Sequence, residues 1–218
     1  MRGPHNIIRL IRMGATLERT GGMNVVLAAF QAPASLRIVA KLLGWPFKWL
    51  GLKGDPEMPS AVRALVALGP AYIKFGQVLS TRPDVVGDEL AIQLRVLQDK
   101  LPPFSIEQAK EMVRTELGRP VEEVFSTFSE PVAAASIAQV HKAHLAETGE
   151  AVAVKVLRPG IEKRFGKDID AFYFAARMVE IFAPGARRLR PREVIEHFEG
   201  VVRGELDFRL ESSAAGEF

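Results

Sequence analysis

Two neighbouring β-type runs in the middle of the chain constrain the fold more than any other feature. Residues 135–145 and 151–157 are rich in small and β-branched side chains, and the turn-forming segment ETGE at 147–150 lies between them. This pattern predicts an antiparallel hairpin. A third β-type run covers residues 124–129, and helical periodicity dominates on both sides of the three runs. Helices, then antiparallel strands, then helices again predict an α+β fold rather than a doubly wound sheet.

Glycine and proline divide the helical parts of the chain. The dipeptide Gly21-Gly22 and Pro33 break residues 5–50 into two or three predicted helices, and residues 51–60 have the composition of a linker. Further helices are predicted within 61–117, where Pro70 starts one and Ser105 with Gln108 forms a capping box for another, and at 161–182 and 191–214. The predicted divisions are a basic helical extension with its linker at 1–60, a helical region at 61–120, and a sheet-containing lobe at 121–218.

Composition excludes several classes of protein. Hydrophobic residues make up 48% of the chain and charged residues 25%, which is typical of a folded domain rather than a disordered one. The absence of cysteine rules out disulfides, thiolate metal sites and a thiol nucleophile. The four histidines have no spacing typical of a metal site, so we predict none in this chain.

The N-terminal segment is strongly basic. Residues 1–53 carry eight basic side chains and one acidic one, whereas the remainder has 21 basic and 25 acidic residues. Because Leu, Ile, Val and two Trp are interleaved with these charges, we expect an anionic membrane surface as partner and no nucleic acid. A helix packed on the rest of the protein, with solvated basic residues, is the alternative. Residues 25–52 are too often interrupted by polar residues and proline to span a membrane. We expect a bacterial cytoplasmic protein peripheral to the inner membrane; the alternative is an organelle, reached through a transit-like N-terminal segment.

Lys155 ends the run Val152-Ala153-Val154-Lys155, which is an unusual place for a charged side chain. A solvated strand lysine is the ordinary interpretation. However, the small-residue segment 131–140 (PVAAASIAQV) leads into the preceding strand, and backbone N–H groups in such a segment can approach a phosphate. Loop, strand, turn, strand and lysine form the layout of a kinase nucleotide lobe. Alanines stand where most protein kinases have glycines, so this loop should be stiffer.

Two further patterns lie on predicted helices. Lys74 and Gln77 share one helix face, and Gly76 between them allows a close backbone approach. Near the C-terminus, the predicted helix 191–214 carries the acids Glu205, Asp207 and Glu211. A solvated acidic face is the ordinary interpretation of these three residues.

Taken in order along the chain, these motifs resemble the UbiB family of atypical kinases, which support ubiquinone biosynthesis. The matching segments are GPAYIKFGQVLSTRPD at 69–84, LQDKLPPF at 97–104, PVAAASIAQVHKA at 131–143, VAVKVLRPG at 152–160 and ELDF at 205–208. Residues 1–60 resemble the family only in being basic and helical. The resemblance implies a protein-kinase-like N-terminal lobe, an antiparallel sheet plus helices, with an N-terminal helical extension.

The resemblance also implies a nucleotide cofactor, ATP or ADP, with Mg²⁺ in the complete protein. Lys155 would bind the phosphates, and Val140 and Ala153 would flank the adenine. The loop covering the nucleotide would comprise Val132, Ala133, Ala134, Ala135, Ser136, Ile137, Ala138, Gln139 and Val140.

The family's other motifs imply supporting roles. Either Glu205 or Glu211 would pair with Lys155, and the sequence leaves open which. Lys74 and Gln77 would lie on extra helices that cover the site where a protein substrate would otherwise bind. Lys74 would be held by a remaining acid of the set Glu205, Asp207 and Glu211.

The resemblance stops before the catalytic loop. Phosphoryl transfer needs a catalytic-loop Asp, an Asn for the second metal, and an Asp before Phe-Gly, and the residues after Glu211 read SSAAGEF. We therefore expect a chain without the C-terminal lobe that binds nucleotide but is inactive on its own.

The predicted function is the nucleotide-binding part of a UbiB-type kinase or ATPase. Its partners would be ubiquinone-biosynthesis proteins and a membrane or a prenyl lipid, rather than a protein substrate. The alternative is a non-catalytic, membrane-associated lipid-binding or scaffold protein. The alanine-rich loop and the extra helices disfavour a conventional protein kinase.

Overall fold

The computed structural model describes residues 5–29, 37–38, 45–98, 103–182 and 184–208. The α-helices are α1 (His5–Thr20), α2 (Gly22–Ala29), α3 (Ser60–Leu68), α4 (Pro70–Ser80), α5 (Pro83–Val86), α6 (Asp88–Leu94), α7 (Ile106–Leu117), α8 (Val121–Val124), α9 (Ile161–Phe182) and α10 (Pro191–Leu206). The strands are β1 (Phe125–Ala134), β2 (Ala138–Leu145) and β3 (Ala151–Leu157). Short 3₁₀ helices cover Trp45–Leu50, Arg95–Gln98 and Pro184–Leu189.

The chain divides into two compact units. Residues 1–98 and 164–218 form the first unit, and residues 99–163 form the second. This division differs from the one predicted from the sequence, because the residues after 163 group with the N-terminal helices rather than with the sheet. The predicted α+β class, a kinase-like N-terminal lobe, is confirmed.

Aromatic contacts explain why the C-terminal helices belong to the first unit. The ring centroid of Phe172 in α9 lies 4.8 Å from that of Tyr72 and 4.9 Å from that of Phe75, both in α4. The Phe75 ring in turn lies 5.1 Å from the ring of Phe198 in α10. Aromatic pairs at such distances stabilise a core by about 0.5–1.5 kcal/mol each beyond the area that they bury. These ring contacts pack α9 and α10 on α4, although α4 is distant from both in sequence.

The second unit is a three-stranded antiparallel sheet packed on one helix. The strand order is β1-β2-β3. Ala109 and Val113 of α7 pack against Phe125, Ala143 and Val156, and all five are buried. The apolar residues of the helix recur at helical spacing and those of β3 alternate, so each element presents one apolar face.

Most of the predicted element positions are confirmed. The helices break at Gly21, which has a φ of 82°, and α4 and α9 have the predicted start and extent. Ser105 accepts a hydrogen bond from the Gln108 amide at 3.3 Å, as the capping box predicts. The 147–150 turn joins β2 to β3, with the Leu145 amide donating to the Glu150 carbonyl at 2.9 Å. The predicted break at Pro33 lies outside the described residues.

Three predicted boundaries are wrong. Strand β1 does not end at residue 129 but continues to Ala134, and β2 starts at Ala138 rather than at residue 135. Pro131 is compatible with β1 because this is an edge strand with several register irregularities. The predicted helix 191–214 ends at Leu206, with Asp207 as its C-cap.

The start of the predicted linker is fixed on α1. The Leu52 amide donates to the Thr16 hydroxyl at 3.1 Å, and the Arg19 guanidinium donates to the Gly51 carbonyl at 2.7 Å. A Cβ added at Gly51 would lie 2.3 Å from the Ala15 carbonyl oxygen, so only glycine fits there. Residues 51–59 have no regular secondary structure, as expected of a linker, but their first residues are packed rather than free.

Candidate functional site

One face of the sheet in the second unit is exposed. Alternate residues of β3, Ala153 and Lys155, have exposed side chains, whereas Val152, Val154 and Val156 face the α7 core. Val140 of β2 lies directly opposite Lys155 in the register. Paired residues and alternate residues of a strand share a face, so three predicted nucleotide contacts lie together. They form a small apolar surface beside an ammonium group, which suits a flat ring with attached phosphates.

The predicted loop is largely strand. Val132, Ala133 and Ala134 belong to β1, and Ala138, Gln139 and Val140 belong to β2. Only residues 135–137 form the turn, which we call the alanine turn. The Ala135 amide donates to the Ala138 carbonyl at 2.8 Å, and Ser136 and Ile137 are buried. The alanine turn is thus a tight, packed connection, and the stiffness expected from alanine in place of glycine stays a prediction.

Gln139 does not belong to the exposed face. Its side-chain oxygen accepts from the Phe104 amide at 3.0 Å, and its side-chain nitrogen donates to the Phe104 carbonyl at 3.2 Å. It also lies 2.9 Å from Nε2 of His141, which is fully buried. The alternation of β2 turns Gln139 and His141 toward the packed side, where the Gln139 side chain has backbone partners, and the prediction that Gln139 belongs to the nucleotide-covering loop stays a prediction.

In the first unit, the structure joins Lys74 to Glu205. Lys74 of α4 forms an ion pair with Glu205 of α10, and the two side chains are 16% and 36% exposed. Phe198, Val202 and Glu205 follow one another along one face of α10, so the packing of Phe198 on α4 brings Glu205 to Lys74.

The rest of the KFGQ motif fastens α4 to the 3₁₀ helix at 95–98. The Gln77 side-chain amide donates to the Leu97 carbonyl at 2.7 Å. A Cβ on Gly76 would lie 2.4 Å from a Leu97 methyl carbon and 2.7 Å from one of Leu65. The close approach predicted at Gly76 is therefore confirmed.

The acids at the C-terminus are less regular than predicted. Asp207 follows the end of α10 rather than lying within it, and Glu211 lies outside the described residues. Lys155 and Glu205 belong to different units, so the predicted pairing of Lys155 with Glu205 or Glu211 stays a prediction.

Comparison with known proteins identifies the family of this chain. The ABC1 atypical kinase-like domain matches residues 96–218, more than half of the chain. This chain belongs to the UbiB family of ABC1-type atypical kinases.

Relatives named "Probable protein kinase UbiB" agree with that assignment. The one from Marinobacter nauticus is 40% identical over 199 residues, which are 89% of this chain and 35% of that protein. The one from Shewanella loihica is 42% identical over 175 residues, or 79% of this chain and 32% of that protein. The one from Azotobacter vinelandii is 40% identical over 213 residues, or 96% and 39%. The UbiB-family chain thus spans about a third of the length of these relatives.

Sequence reasoning missed an ion pair in this UbiB-family chain. Arg9 of α1 is paired with Asp168 of α9, whose side chain is only 6% exposed. Burial raises the pKa of the Asp168 carboxyl, and the charges of Arg9 and Arg164 oppose that shift. Arg9 and Arg19, predicted as part of a basic membrane-facing segment, are therefore occupied in holding α1 in the first unit. The sequence signal that could have revealed this ion pair is the position of Asp168, a single acidic residue on the apolar face of α9.

Neither a metal site nor a membrane span is found in the described parts of the UbiB-family chain. Within those residues, no group of three or more acidic or histidine side chains is placed to hold a metal ion. The described helices are also each too short or too polar to cross a bilayer.

Proposed function

We propose that the exposed sheet face binds ATP or ADP as part of a UbiB-type kinase or ATPase that supports ubiquinone biosynthesis. The register of β2 and β3 carries the proposal, because it sets Val140 opposite Lys155 and keeps Ala153 on the same face. The Lys155 ammonium would bind the phosphates, and the two apolar side chains would contact the adenine ring.

The packed alanine turn supports a role in binding rather than in rapid opening and closing. Ser136 and Ile137 are buried and the Ala135 amide bonds to the Ala138 carbonyl, so the turn offers a nucleotide one fixed conformation. The proposal includes nucleotide hydrolysis, or transfer to a small lipid-like substrate such as a prenyl lipid, because the family resemblance implies extra helices over the site of a protein substrate. Contacts with other ubiquinone-biosynthesis proteins belong to the same proposal.

Replacing Lys155 with methionine should weaken ADP binding about 10- to 100-fold. Methionine keeps the length and apolar stem of the side chain but removes its charge, and a charge-assisted hydrogen bond is worth about 1.5–3 kcal/mol. Isothermal titration calorimetry of the 218-residue chain with ADP measures the change.

Lys110→Met is the matched control. Lys110 lies on α7, which packs against the opposite face of the sheet, and it pairs at 3.1 Å with Glu122 on the surface. The Lys110→Met variant should bind ADP with the affinity of the unaltered chain. The proposal that Lys155 binds the nucleotide would be wrong if Lys155→Met and the unaltered chain bound ADP with equal affinity. It would also be wrong if Lys110→Met lost as much ADP affinity as Lys155→Met.

A second candidate function is attachment to an anionic membrane surface, with or without catalysis. It is favoured by the 3₁₀ helix at 45–50, where Trp49 is 73% exposed beside the exposed Phe47 and Leu50. Lys48 in the same turn is also exposed. Aromatic side chains flanked by basic ones are typical of proteins that rest at the headgroup level of a bilayer. Residues 39–44 of the basic segment lie outside the described residues.

Replacing Trp49 with serine should lower the partition coefficient of the chain onto anionic vesicles about tenfold, because the variant has no large apolar side chain at this position to transfer from water into the membrane. Co-sedimentation with phosphatidylglycerol–phosphatidylcholine vesicles measures the change, and added salt should weaken binding of the unaltered chain. Ile92→Ser, which alters an apolar residue of α6 that is 60% exposed, is the control and should bind to the vesicles as the unaltered chain does. The membrane hypothesis fails if Trp49→Ser and the unaltered chain co-sediment equally.

A further inference from the structure

The alanine turn is held from outside by Arg158, a residue distant from it in sequence. The Arg158 backbone amide donates to the Ile137 carbonyl at 2.8 Å. The Arg158 guanidinium lies 3.4 Å from the Ala135 carbonyl oxygen, to which it donates, and 5.6 Å from the centre of the Phe104 ring. Arg158 thus contacts the alanine turn at two carbonyls and rests on an aromatic ring.

Phe104 is in turn fixed to the strand that follows the turn. Two hydrogen bonds join its backbone amide and carbonyl to the side chain of Gln139, the second residue of β2. Gln139 is 1% exposed, so these bonds are shielded from water and have little competition from it.

His141 fixes the orientation of the Gln139 amide. The Gln139 nitrogen donates to the Phe104 carbonyl, so it can donate its other hydrogen to Nε2 of His141. Nδ1 of His141 then donates to the Ser129 carbonyl at 2.7 Å, and its ring stacks on Phe128 at 4.5 Å. These contacts link β1 to the alanine turn through His141, Gln139, Phe104 and Arg158. Every hydrogen bond in the series has one donor and one acceptor when Nδ1 of His141 carries the proton.

We propose that Phe104, Gln139 and Arg158 form a clamp that positions the alanine turn, and hence the nucleotide, relative to Lys155. Gln139 precedes Val140, which lies opposite Lys155 in the register. A shift of Phe104 or Arg158 therefore moves both the turn amides and the residue that faces Lys155. The three are positioning residues, and the role rests on the proposed nucleotide site.

The clamp gives a physical role to two segments that the nucleotide site itself does not use. Phe104 ends the segment 97–104, and Arg158 follows directly after β3. A glycine turn gains its shape from freedom of φ, whereas alanine lacks that freedom and the turn here is held by neighbours. The clamp predicts a site whose affinity depends on preorganisation of the turn.

Arg158→Met should weaken ADP binding about tenfold, comparable to losing one charge-assisted hydrogen bond. It should also speed hydrogen exchange of the Ala135 amide and of the residue-158 amide, because both bond within or to the turn. Phe104→Leu, which leaves the Gln139 hydrogen bonds to its backbone in place, should produce a smaller loss. The double variant should lose little more than Arg158→Met, because the two changes disrupt one contact.

Val113→Ala is the control for a purely structural effect. Val113 lies in the α7 core and is 6% exposed, so its truncation should lower the urea midpoint of the unit without touching the turn. The clamp predicts unchanged ADP affinity and unchanged Ala135 exchange in this variant. An equal loss of affinity in Val113→Ala and Arg158→Met, or no change in Arg158→Met, would overturn it.

The exchange measurement separates this proposal from the proposed function. Should the unaltered chain bind no ADP, the nucleotide site itself is wrong, and hydrogen exchange alone decides whether the turn is clamped. Faster exchange at Ala135 in Arg158→Met then supports the clamp as a structural device, and unchanged exchange overturns it.

Discussion

Gly51→Ala should destabilise the protein by about 3 kcal/mol, at the upper end for an added methyl group in a packed site. The new Cβ would lie 2.3 Å from the carbonyl oxygen and 2.5 Å from the carbonyl carbon of Ala15, and 2.9 Å from the Thr16 nitrogen. Because all three are backbone atoms of α1, no side chain can rotate away. The segment after the 3₁₀ helix must move off α1, at the cost of the hydrogen bonds of Leu52 and Arg19.

Urea unfolding followed by circular dichroism measures this loss. Gly14→Ala is the matched control in the same helix, because a Cβ there meets nothing within 4 Å. It should raise stability by about 0.5–1 kcal/mol through helix propensity. A Gly51→Ala variant with the midpoint of the unaltered protein would show that the contact between residue 51 and α1 is not present in solution.

Arg9→Met should destabilise the protein by about 2–3 kcal/mol near neutral pH. It leaves the Asp168 carboxylate buried without the arginine that is its ion-pair partner. Breaking a fully buried pair costs about 3–5 kcal/mol, and we expect less here because the Arg9 side chain is 31% exposed. Thermal or urea unfolding of the variant tests this value.

The loss should depend on pH in a definite direction. Burial already raises the pKa of Asp168 above its ordinary value of 3.8, and removing Arg9 takes away a charge that lowers it. The folded variant therefore binds a proton at a pH where the unfolded chain does not, so its stability rises as pH falls through the folded pKa. The difference between Arg9→Met and the unaltered protein should shrink on acidification.

Asp168→Asn in the Arg9→Met background supplies the control. An amide carries no charge to bury, so this double variant should recover most of the lost stability at neutral pH and lose the pH dependence. A single Arg9→Met variant whose stability deficit is constant across pH would mean that Asp168 is solvated or otherwise compensated.

Local sequence rules were sufficient for most of the secondary structure. The turn at 147–150, the cap at Ser105 and the start of α4 at Pro70 follow from interactions between residues close in the chain. The alternation in β3 likewise predicts which face Lys155 shares with Ala153. The edges of β1 and β2 were misplaced because small residues satisfy both a loop and a strand, and only cross-strand pairing chooses between them.

The sequence alone determined the α+β class, the helix and hairpin positions, the UbiB-type motifs and the alternation that places Lys155 beside Ala153. Tertiary structure decided the partners of charged and polar side chains: Glu205 for Lys74, Asp168 for Arg9, and the Phe104 backbone for Gln139. The physical reason is the separation along the sequence over which each interaction acts. Propensity, capping and alternation act over a few residues, whereas an ion pair or a buried amide finds its partner only after packing has brought distant segments together.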